Sequence, residues 1–91
     1  MSENVPGGWS AYTCDITEQQ RQTFDQAIAG LTGVDYTPLA VATQVANGTN
    51  FSFFCNVKAA FPGAPNDGAM VLIYEPVGAA PHIINITRVP R

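Results

Sequence analysis

Charge is scarce in this chain. Only 12% of its 91 residues are Asp, Glu, Lys or Arg, about half the usual quarter. That excludes a highly charged disordered tail and a coiled coil. Four basic residues (Arg21, Lys58, Arg88, Arg91) face seven acidic ones, for a net charge of −3. So little positive charge leaves no footprint for nucleic acid and none for an anionic membrane surface. Cysteine is equally sparse. Cys14 and Cys55 are too few for a disulfide scaffold, and their separation matches no zinc pattern. They are expected as reduced, mostly buried thiols, with a single bridge left open. No apolar run approaches the roughly 18 residues of a membrane span. The start, Met1-Ser-Glu-Asn-Val-Pro-Gly-Gly, has neither a basic stretch nor an apolar one. It does not read as a signal peptide, so a cytoplasmic chain is expected, with a processed secreted form left open.

What is there is apolar: 46% of the chain is hydrophobic, enough for one modest core in one domain. Residues 1–8 are polar and rich in Gly and Pro, and are expected as a flexible arm. Residues 9–14 alternate and predict a short strand. Asp15 or Thr17 then opens a helix, because Asp15-Ile-Thr-Glu18 and Thr17-Glu-Gln-Gln20 both fit a capping box. Phe24, Ala27, Ile28 and Leu31 form one apolar stripe at helical spacing, and Gly33 is expected to end the helix.

From Tyr36 the period becomes two. Leu39, Val41, Thr43 and Val45 alternate with Ala40, Ala42 and Gln44, with Pro38 near the start, where a strand tolerates it. Asn47-Gly48 then predicts a two-residue hairpin turn, since both positions favour positive φ. The next strand puts Phe51, Phe53, Cys55 and Val57 on one face and Ser52, Phe54, Asn56 and Lys58 on the other. Residues 62–68 read as a loop, 69–75 as a strand, 76–81 as a second hairpin loop and 83–89 as the last strand. A helix with one apolar stripe needs a sheet to cover it. The expected class is α+β, with a single helix packed across a four- to five-stranded antiparallel sheet.

Catalysis finds little support. His82, the one histidine, could pair with Cys14 or Cys55 as a thiolate–imidazole couple, but nothing supplies a third, orienting group. The acidic residues are scattered and read as caps and solvated positions. Gly7-Gly8 lacks the strand–helix context of a phosphate loop. No catalytic residue, cofactor or metal ligand is expected.

Three segments carry a different signal: Pro6-Gly-Gly-Trp-Ser10, the hairpin Thr43-Gln-Val-Ala-Asn-Gly-Thr-Asn-Phe51, and the Pro-bearing loop 76–82. Together they resemble the cystatin superfamily, and its stefin branch in particular, whose members inhibit papain-like cysteine proteases. The Gln44-Val-Ala-Asn-Gly-Thr-Asn-Phe51 segment is the specific part of the likeness. The resemblance implies a cystatin-like fold and a wedge that occludes the protease cleft without being turned over. Its protease-binding residues would be Gly7, Gly8 and Trp9 from the arm, Gln44, Val45, Ala46, Asn47 and Gly48 from the first hairpin, and Val77, Gly78, Pro81 and His82 from the second. Ala46 and Asn47 depart from the family's valine and alanine, and the second loop lacks the family's Pro-Trp or Leu-Pro step. The role given to this loop implies that Gly48→Arg would reduce inhibition strongly with the fold nearly intact.

Each residue also has a plainer reading. Asn47-Gly48 makes a good turn anywhere, Gln44 suits a solvent-facing strand position, and Trp9 suits a core. The alternative function is therefore a non-inhibitory binding or scaffold module of the same fold. It would be a monomer, or a dimer that exchanges halves by opening the hairpin at Asn47-Gly48. Asn47, Asn50 and Asn85 each head a glycosylation sequon. A glycan on Asn47 would block the wedge, so either the chain avoids the secretory route or the wedge is not functional; the start, which does not read as a signal peptide, favours the first.

Overall fold

A computed structural model describes residues 8–89. Helix α1 spans Glu18–Ile28, followed by strands β1 (Val34–Val45), β2 (Thr49–Ala59), β3 (Asn66–Glu75) and β4 (His82–Arg88). The strands form one antiparallel meander in the order β1-β2-β3-β4, with α1 packed against the side of β3 and β4. The class is α+β, with four strands in the sheet. The proposed flexible arm lies outside the described residues apart from Gly8.

Helix α1 begins where the capping box dictates. The Thr17 hydroxyl accepts from the Gln20 N–H at 3.1 Å, and the Gln20 amide oxygen accepts from the Thr17 N–H at 2.9 Å. Two donors that helical bonding leaves free are thus satisfied. The helix stops early, however. Ala29 is its C-cap and Gly30, a poor helix former, follows directly. Leu31 therefore falls off the apolar stripe and is 41% exposed. Gly33 does not end the helix. At φ +84 it turns the chain into β1, and its carbonyl accepts from Ala60 N–H at 2.9 Å.

The core lies between α1 and one face of the sheet. Phe24 meets Phe53 edge to face with ring centroids 4.9 Å apart, and Phe51 stacks on Phe53 at 5.9 Å. Cys55, Val57, Ala69, Val71 and Ile73 continue the same buried layer. The alternation of β2 holds as expected, with odd positions inward.

β1 departs from the simple period. Its register slips between Pro38 and Ala40, leaving Leu39 without a partner. Tyr36 and Pro38 pair with the inward residues Val57 and Cys55, whereas beyond the slip Val41 and Thr43 pair with the inward Phe53 and Phe51. An extra residue in one strand flips the parity of everything after it. Leu39 therefore does not share a face with Val41; it is 45% exposed. Ile84 does the same in β4, left over between the pairs Leu72–Asn85 and Ile73–Ile83.

Three further expectations are corrected. Residues 9–13 form no strand but two isolated bridges to β1, Trp9 to Gln44 and Thr13 to Val41. Between them the Ser10 hydroxyl accepts the Thr43 N–H at 2.9 Å, taking over a ladder bond from the backbone. Residues 66–68 belong to β3 instead of a loop: Asn56 donates to Asn66 at 3.0 Å, and the small Gly68 fits beside Phe54 and Val89. Of the two thiols only Cys55 is buried; Cys14 is exposed, and both are free.

Candidate functional site

A single lateral row of partners crosses one end of the sheet. Trp9 bridges Gln44, Gln44 pairs with Asn50, Asn50 with Tyr74, and Tyr74 with His82. This row begins at the described end of the N-terminal arm and finishes at the second hairpin loop, with the first hairpin loop standing above its middle. At about 4.8 Å per strand spacing it is roughly 19 Å wide. The intervening loop, residues 60–65, lies at the opposite end, as a meander requires.

The first loop holds Ala46, Asn47 and Gly48 between the closing pair Val45–Thr49. It is a three-residue loop, not the two-residue turn that Asn47-Gly48 predicts. Asn47 (φ 50) and Gly48 (φ 119) do take positive φ. The Tyr74 hydroxyl donates to the Asn47 carbonyl, which ties β3 to the loop tip. A Cβ added to Gly48 would stand 2.6 Å from the Glu75 carbonyl oxygen and 3.0 Å from the Tyr74 hydroxyl. Glycine is therefore needed there twice over, for its φ and for the close backbone approach. The expectation that Gly48→Arg leaves the fold nearly intact is corrected on this ground.

Below the loop, Asn50 donates to the Gln44 side-chain oxygen at 2.8 Å. Gln44 is thus a bonded, half-buried member of the row rather than a free solvent-facing side chain. His82 lies edge-on to Tyr74 with centroids 5.8 Å apart. Tyr74 touches both loops, and with Asn50 it is what the sequence reading missed. Its place in the strand 69–75 was visible, but its partner across the sheet was not.

The edge itself is apolar and uneven. Trp9 is 44% exposed, Val45 53% and Val77 83%. Ala46, Asn47, Gly78 and His82 are exposed, and Gly8 and Gly48 half-buried. Pro81 is buried, so it supports the second loop from within and offers no contact surface. Gly7 lies outside the described residues.

Neither cysteine meets His82. Cys55 sits five residues along β2 from Asn50 and faces the core, where desolvation pushes its thiol up to about 12. Such a thiol is not a nucleophile at neutral pH. Cys14 follows the bridge to β1, at the sheet edge opposite to β4. Among the described residues no cluster of His, Cys, Asp and Glu has the makings of a metal site, and no helix is long and apolar enough to cross a membrane.

No known protein family, curated protein or solved structure matches the chain.

Proposed function

We propose that the chain is a reversible inhibitor of papain-like cysteine proteases with a cystatin-like fold. One observation carries the reading: Trp9, at the described end of the N-terminal arm, and the two hairpin loops, distant in sequence, fall on one row at one end of the sheet. A cleft with a cysteine and a histidine at its floor would receive such an edge as a wedge. Trp9, Val45, Ala46 and Val77 supply exposed apolar surface there. Exposed apolar residues gathered on one edge are the usual mark of a partner surface. The Tyr74 tie to Asn47 holds the middle loop before docking, which limits the entropy lost on binding. The scarcity of charge at the tip suits the dry centre of an interface. In this arrangement the chain presents bends and a terminus to the nucleophile, and no extended peptide bond lies across it.

The test is inhibition of papain by the chain and by Val45→Asp and Val77→Asp. These positions are exposed, so folding should survive while inhibition weakens at least tenfold, the cost of burying an unpaired charge. Unchanged inhibition by both variants would remove the loops from the account. A non-inhibitory binding module of the same fold is the second reading. It is favoured by the second loop, where Val77 is the one large apolar side chain exposed. Absence of inhibition across several papain-like enzymes would select it.

A further inference from the structure

Beneath the first hairpin the sheet overhangs the start of α1, leaving an open cleft of about 370 Å³, at the small end of the roughly 300–1,000 Å³ typical of ligand sites. Its walls are unlike the core below it. Thr17 and Thr23 come from the helix side, Thr43 and Thr49 from the sheet, Phe51 forms the floor, and Glu75 projects from the end of β3. The Glu75 carboxylate is half-buried. Its one donor among the described residues is the Thr23 hydroxyl at 3.2 Å, whose single proton also has the Gln19 carbonyl within reach at 3.1 Å. A carboxylate accepts up to about four hydrogen bonds.

No cation among the described residues answers it. The one ion pair among the described residues joins Arg88 to Asp67. Lys58 and Arg88 pair with Asn66 and Ala69, at the opposite end of the sheet, and Arg21 is exposed on α1 and does not line the cleft. The helix N-terminus brings about half a positive charge. Glu18 in the first turn offsets it, and Thr17 and Gln20 already cap it. The local field is therefore negative, in a recess rich in hydroxyls.

We infer that this cleft binds the basic side chain of a partner protein, a guanidinium or ammonium group, through Glu75 and the surrounding threonines. Planar guanidinium donors would take the carboxylate and a hydroxyl together, while the aliphatic stem lies against Phe51 and Val45. Val45 belongs also to the exposed edge, so a protein seated on the loops would bring its surface to the cleft mouth. The site itself does not depend on that partner being a protease.

The experiment is a titration of the full chain followed by amide NMR, with N-acetylarginine methylamide as probe and the neutral citrulline analogue as control. The arginine probe should shift the resonances of Thr23, Thr49 and Glu75 and saturate in the millimolar range. The citrulline probe, and the arginine probe on Glu75→Gln, should bind weaker by about fivefold or more, since a half-exposed pair lies between a surface ion pair and a buried charged hydrogen bond. Equal binding of the two probes, or no shifts at these residues, would overturn the assignment. If Glu75→Gln folds poorly, the contrast between probes on the unaltered chain decides. Papain inhibition is a separate readout, so failure of one proposal leaves the other standing.

Discussion

The Tyr74 hydroxyl on β3 donates to the carbonyl of Asn47 at the tip of the first hairpin. This bond spans 27 residues of sequence and pins the tip of the first hairpin to the strand that leads into the second loop. Tyr74→Phe removes it and little else. A net loss of about 0.5–1.5 kcal/mol is expected in urea unfolding. Papain inhibition should weaken by faster dissociation, because the loop must then be ordered on binding. A variant with unchanged dissociation would show that the tie is irrelevant to docking.

Gly48 and Gly78 separate two causes of glycine dependence. Both have positive φ, but a Cβ on Gly78 meets nothing within 4 Å, whereas on Gly48 it meets the Glu75 backbone at 2.6 Å. Gly78→Ala should cost about 1–2 kcal/mol, the left-handed penalty alone. Gly48→Ala should cost more, about 3 kcal/mol or above, as strain adds to a backbone clash. Thermal unfolding of the two variants checks the order, and equal costs would refute the close approach.

Phe24 is fully buried and carries the helix onto the sheet through Phe53. Phe24→Ala should lose about 3–5 kcal/mol, a large part of what a domain of this size possesses. In contrast, Leu39→Thr should stay within about 0.5 kcal/mol, because the register slip turns Leu39 outward. Comparable losses at both sites would mean that the slip is absent.

That pair also marks how far the sequence could be read. The run Phe51-Phe53-Cys55-Val57 announces a half-buried strand because nothing interrupts its alternation, and the Thr17–Gln20 capping box locates the helix start because its chemistry is local. Leu39 and Ile84 carry no such sign. A bulge is decided by which partner residues find each other across the sheet, so a period-two reading runs straight through it. Leu31 fits the helical stripe equally well, but Ala29 and Gly30 end the helix first. The two loops of the candidate site were legible as turns. Their shared row follows from the meander, while the ties through Asn50 and Tyr74 depend on register and could not be read.

The two thiols should differ sharply in reactivity. Exposed Cys14 should react with an aromatic disulfide reagent at pH 8, and Cys55 should react only on unfolding. Burial raises the Cys55 thiol from 9.0 to about 12, because the thiolate is poorly solvated in the core. The unfolded chain therefore releases this proton first. The Cys55 contribution to stability is complete below pH 9 and declines as pH rises from 9 towards 12. In Cys55→Ala that share of the alkaline loss should vanish. Two thiols titrating at the same rate in the native chain would contradict the burial of Cys55.

The most direct measurement is a titration of active papain with the purified full chain, with residual activity and chain integrity followed together. The account predicts reversible loss of activity at sub-micromolar concentration, with the chain recovered uncut. Full papain activity at a large excess of the chain, or cleavage of the chain as an ordinary substrate, would contradict it.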